Sequence, residues 1–314
     1  MPQLSDEIVR ANGDVRGTQS FVHVMAAMWR RPSLTALEVL WRWLFGVGAM
    51  WLLATQGWRV WLAATQGTAN ASVVNLDHFT IMDPIAASER LAAAFVQLLP
   101  PVLDVARWLV PLLLAAWVVV SAIGRTVVLR RMEPSLPARR TTLMALGAVR
   151  VVFLAATFGL WLWMLRWCGG VAVTGPAARG EEPKLVAYFA LVIVGTLLIF
   201  VVWAMVSWVL SIAPLLAVLH GLDAWESLRA ATKLGPLRGK LIEINLVMGI
   251  VKIALVVLAM VFSATPLPFQ AFTTQGFLWV WWTVVTVLYL VASDFFHVVR
   301  MAVCLVLCRA YGAR

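Results

Sequence analysis

The sequence predicts an all-α, polytopic integral membrane protein: a bundle of six transmembrane helices with amphipathic surface helices. Three observations carry this. Hydrophobic residues make up 62% of the 314 and charged residues 13%, whereas a soluble domain carries about 25% charged residues. Six stretches are nearly free of charge, at 35–56, 107–124, 143–167, 185–213, 241–265 and 277–299, against the roughly 20 apolar residues that cross a hydrocarbon core. Arg and Lys crowd into every second gap between them. Backbone groups in lipid must be satisfied within the segment, so the runs are read as helices. They are too long for the roughly 10-residue alternating strands of an outer-membrane barrel.

Taken in order, residues 1–33 form a cytosolic arm. Its polar beginning carries Asp6, Glu7 and Asp14 and reads as no cleavable signal. An amphipathic helix over 18–31 follows, ended by Pro32-Ser33. The membrane domain is 34–314. Its first span is rich in Trp, and the echo WLLATQG/WLAATQG at 51–57 and 61–67 extends the helix. The first external loop, 57–106, is the longest. Within it Asp83-Pro84 starts an amphipathic helix over 84–99, closed by Pro100-Pro101. The fourth run is too long for one straight crossing, and Pro214 is expected to break it. Asp223, with Glu226 three residues on, then caps an elbow helix over 223–234. The last run extends to about residue 310. Its final third holds Asp294, His297 and Arg300, so the helix is expected to leave the hydrocarbon layer there.

Orientation follows from charge. Sixteen Arg and Lys fall on the side of the termini and the second and fourth loops, and five on the other. The positive-inside rule then places both termini in the cytosol, and in a bacterial host this is the inner (plasma) membrane. The net charge of +10 would suggest nucleic acid in a soluble protein. Here the basic residues flank spans, and the partner they imply is the phospholipid bilayer, through anionic headgroups on the cytosolic side. The membrane-surface basic set is Arg30, Arg31, Arg130, Arg131, Arg139, Arg140, Arg238 and Lys240. A protein partner or a second copy of the chain is a further expectation; nucleic acid is not.

The stretch from Ala213-Pro214 through Glu226-Ser227-Leu228-Arg229, Thr232-Lys233-Leu234 and Arg238-Gly239-Lys240 into an apolar span resembles the polytopic membrane domain associated with glycerophosphodiester phosphodiesterases, and related uncharacterised bacterial membrane proteins. The likeness covers about 40 residues. It departs at Ala231, where a small polar Ser is usual, and at Gly235-Pro236-Leu237, which reads as an insertion. The phosphodiesterase catalytic domain has no counterpart, so the resemblance implies an architecture and no activity.

Charges inside spans are expensive and are functional candidates by default. Lys252 lies near the middle of the fifth span and shares a helix face with Asn245, seven residues before it. The sixth span returns antiparallel and brings Asp294 and His297 toward the same depth. Asn245, Lys252, Asp294 and His297 are therefore the candidate polar cluster, either a site for an ion, polar solute or proton, or a structural ion pair. His297, Met301, Cys304 and Cys308 form one stripe of the last helix, read as packing rather than as copper or zinc ligands. No catalytic, cofactor or metal constellation is found. The leading expectation is a non-catalytic membrane module that organises lipid or a partner protein. A transporter or permease component using the polar cluster is the alternative, and a membrane-embedded enzyme the third.

Overall fold

The structure, a computed structural model, describes residues 17–66, 84–233, 237–266 and 274–312. The start of the N-terminal arm, the middle of the first external loop and the Gly235-Pro236 turn lie outside these. The described chain is helical apart from short turns. Its elements are α1 (Gly17–Trp29), α2 (Pro32–Gln66), α3 (Pro84–Met132), α4 (Arg140–Gly169), a π-helical turn (Gly170–Thr174), the short α5 (Gly175–Ala178), α6 (Leu185–His220), α7 (Ala224–Thr232), α8 (Leu237–Ala264) and α9 (Gln275–Gly312). Six helices are long and apolar enough to cross a membrane: α2, the later part of α3, α4 with its extension, α6, α8 and α9. The chain is an integral membrane protein.

Two helices run through positions where a stop was expected. α3 is continuous through Pro100-Pro101, as it is through Pro111 within the second apolar run, so the segment 84–99 is the first part of a 49-residue helix rather than a separate surface helix. α6 is continuous through Pro214. A proline removes one N–H, and in a membrane helix the freed carbonyl is re-satisfied by neighbours or local adjustment. Around Pro214 the neighbours are close: Ile212, Ala213, Leu216, Ala217 and Val218 are all buried.

The chain forms two compact units, Met1–Leu40 with Ser121–Arg314, and Trp41–Val120. The smaller unit holds most of α2 and the apolar part of α3. Trp117 of α3 packs on Trp41 and Phe45 of α2, with ring centres 5.7 and 5.1 Å apart, and the Arg42 guanidinium lies 5.4 Å from the Trp41 ring.

The larger unit is built from helix pairs. α8 and α9 form an antiparallel hairpin, and α1 lies against both, its Trp29 meeting Phe295 edge-on at 5.5 Å. Trp281 and Trp282 of α9 donate their indole N–H groups to the carbonyls of Phe262 and Ser263, at 2.8 and 3.1 Å. These are carbonyls of the last turn of α8, beyond the helix's own i→i+4 bonds; that of Phe262 also accepts the Thr265 N–H at 3.3 Å. α4 and α6 form a second pair. Gly195 lets Met164 approach so closely that a Cβ would stand 2.8 Å from its Sδ. The Trp161 indole donates to Thr196 Oγ1 at 3.1 Å. At the far end of this pair the π-helical turn leads into α5. A Cβ on Gly175 would sit 2.7 Å from the Gly170 carbonyl oxygen, so only glycine fits that turn.

The core of the larger unit sits at one end, the end of the Arg-rich loops. Val24, Met28, Leu34, Val128, Leu146, Ala217, Leu241, Ile244 and residues 298–308 of α9 are buried or nearly so. The end of α9 therefore does not project as a free extension; it is the most enclosed stretch among the described residues. Toward the other end the same helices bury little. None of the most apolar stretch of α6 is buried, and only 6% of that of α8.

Candidate functional site

Within the packed end lies a set of buried polar groups. Glu38 of α2 is completely buried, Glu133 is 2% exposed, and Asp294 of α9 is 7% exposed. A carboxylate withdrawn from water is costly unless it is paired. Glu133, just beyond the last turn of α3, pairs with Arg309 near the end of α9. Glu38 faces His297, with Nε2–Oε1 3.7 Å. That distance is within ion-pair range and longer than a hydrogen bond. The His297 side chain keeps 20% of its surface exposed, against none for Glu38. Asp294 precedes His297 by three residues and so lies on the same face of α9.

The four cluster residues differ in burial. Asp294 is buried and His297 half-buried at the packed end, where His297 meets Glu38. Asn245 is half-buried on α8, and Lys252 is exposed. The reason is where packing stops. Leu241, Ile244 and Met248 form the buried stripe of α8. Lys252 continues that stripe by one further turn, beyond the last residue the core encloses. Glu38 was missed by the sequence reading because it lies close to the start of a span, where a lone acid reads as interfacial. Its sequence signal is the four-residue spacing from the buried Leu34, which puts both on one face.

The elbow after α6 is built from local signals. Gly221 takes the left-handed conformation (φ 63°) that ends α6. Asp223 and Glu226 form a reciprocal capping box at the start of α7, the Asp223 backbone N–H donating to Glu226 Oε2 at 3.4 Å. Arg139, at the head of α4, reaches Asp223 at 3.5 Å across a solvent-facing gap. Ser227 and Ala231 face inward and are fully buried, with Ser227 Oγ donating to the Asp223 carbonyl at 2.7 Å. Trp225 faces out, 63% exposed, and the Arg229 guanidinium lies over it at 5.1 Å.

Of the basic set, Arg30, Arg130, Arg131 and Arg140 are exposed, and Arg31, Arg139 and Lys240 are half-buried. Lys240 is 3.6 Å from Glu243. Arg238 lies in the first turn of α8, and its side chain is outside the described residues. Cys308 is buried and Cys304 half-buried on α9. Among the described residues no group of three or more His, Cys, Asp or Glu side chains is placed to hold a metal ion.

Comparison with protein-family models, with characterised proteins and with solved structures gives no match to this chain.

Proposed function

We propose that the protein is a non-catalytic membrane module that organises anionic lipid at the Arg-rich face of the bilayer, with both termini and the basic loops on the cytosolic side of a bacterial inner membrane. The observation that carries this is the division between the two ends of the larger unit. One end is packed and ringed with arginines, and away from it apolar side chains of α4, α6 and α8 stay exposed. Exposed apolar faces of this size are stable only against acyl chains or another apolar surface. The arginines beside them match the charge of anionic headgroups. The resemblance of the elbow stretch to a phosphodiesterase-associated membrane domain fits the same picture of a non-catalytic membrane part.

The test is lipid selectivity in reconstituted vesicles. Spin-labelled phosphatidylglycerol and phosphatidylcholine of matched chains report which headgroup is motionally restricted by the protein. Restriction of the anionic lipid in clear excess is expected. Equal restriction of the two rejects the proposal.

The Glu38–His297–Asp294 group supports a second reading, a permease component that moves a proton or small solute through the packed end. Intramembrane ionisable groups of this kind line transport paths in other proteins. In that case proteoliposomes show a solute or proton flux that Asp294→Asn abolishes while the variant remains folded.

A further inference from the structure

The elbow helix α7 is held by contacts that fix which way it faces, and it turns Trp225, Arg229 and Lys233 outward. The capping box closes its N-terminal end, and Ser227 and Ala231 lock its inner side against the bundle. Opposite them Trp225 is 63% exposed. A large amphipathic ring so placed favours the water–lipid boundary, where its apolar body enters the headgroup layer. The depth is set by connectivity. α7 joins the end of α6 to the start of α8, both spans, so it lies at the level where the chain leaves the hydrocarbon.

Arg229, one turn after Trp225, is exposed and lies over the indole at 5.1 Å. Stacking on the ring orders the guanidinium before anything binds, and its remaining N–H fork matches the two free oxygens of a phosphodiester. Lys233, one turn further, is also exposed and adds positive charge on the same side. The nearby acids are turned to other work: Glu226 accepts from the Asp223 N–H, and Asp223 meets Arg139.

We propose that Trp225 and Arg229, with Lys233 beside them, form a headgroup site for one anionic phospholipid of the cytosolic-side leaflet. The inference rests on the reading of the protein as a lipid-organising module and names one place where that lipid is held.

The experiment is native mass spectrometry of the full chain released from nanodiscs of phosphatidylcholine doped with phosphatidylglycerol. Wild type is compared with Arg229→Gln, Arg229→Lys and Trp225→Ala. Both positions are exposed, and an unchanged unfolding temperature verifies each fold. Wild type is expected to retain one phosphatidylglycerol tightly. Arg229→Gln should weaken it about fivefold, the scale of one basic residue at a membrane surface. Trp225→Ala should weaken it as well, although no charge is lost, and Arg229→Lys should restore only part. Retention equal to wild type in both Arg229→Gln and Trp225→Ala overturns the site. So does full rescue by Lys with no effect of Trp225→Ala, which is diffuse attraction rather than a built site. Displacement of the lipid by soluble glycerol phosphate at comparable concentration also overturns it, in favour of a soluble phosphoester. A wild type that prefers neither lipid defeats the broader functional reading, whereas a preference that the variants share defeats the elbow site alone.

Discussion

Glu133 and Arg309 show how much can depend on one pair. Glu133 is almost wholly enclosed and Arg309 retains about a third of its surface, with the side chains 3% and 29% exposed. Removing Arg309 leaves the Glu133 carboxylate where water cannot solvate it well, and loss of one member of a buried pair costs about 3–5 kcal/mol. Arg309→Met is therefore expected to lower the unfolding temperature in detergent by several degrees. Glu133→Met with Arg309→Met should recover most of that loss, because an apolar pair of similar volume suits the site. A single variant as stable as wild type would show that the pair contributes nothing. The Arg139–Asp223 bridge is the contrast. With side chains 41% and 77% exposed, it is screened and contributes little. These residue-scale facts were the least legible in the sequence. Glu38, Glu133 and Arg309 all lie at or near span ends, where a charge has a cheap route to headgroups. Only the packing of α9 among α1, α6 and α8 closes that route.

Elements were more readable, because lipid imposes one rule on all of them: the backbone must bond to itself over a fixed thickness. That rule marks six apolar runs, and six helices long and apolar enough to span are present among the described residues. The stops were less readable. Prolines at 100, 101 and 214 would end a helix in water, where an extended alternative is solvated. In lipid that alternative is worse than a strained helix, and α3 and α6 continue. The elbow was legible because its signals are local. Asp223 and Glu226 act through the backbone within a few residues, whatever the surroundings. What it turns outward was not: the spacing groups Trp225 with Ala224, Leu228 and Ala231, opposite Arg229, whereas Trp225 is exposed under Arg229 and Ala231 is buried. Replacing Gly221 by Ala puts a side chain into the left-handed region at a cost of about 1–2 kcal/mol. Hydrogen exchange across residues 221–232 should accelerate in that variant while exchange in α9 is unchanged. Equal protection in both would mean that the turn is not held by its glycine.

At the scale of the molecule, the asymmetry of charge makes a prediction about sidedness. Ser135→Cys, in the exposed turn between α3 and α4, should react with a membrane-impermeant maleimide only when the cytosolic face is opened. Glu181→Cys, in the exposed turn before α6, should react from outside in intact cells. The reverse pattern would invert the assignment of the termini. The uneven packing of the larger unit has a second consequence. α6 is 36 residues long, about 54 Å as a helix, and none of its most apolar stretch is buried, its contact there being with α4. Helices enclosed at one end and joined only in pairs at the other can change tilt as pairs without disturbing the residues that enclose them. Such a protein should accept bilayers of different thickness at small cost, absorbing hydrophobic mismatch in the leaflet opposite its arginines.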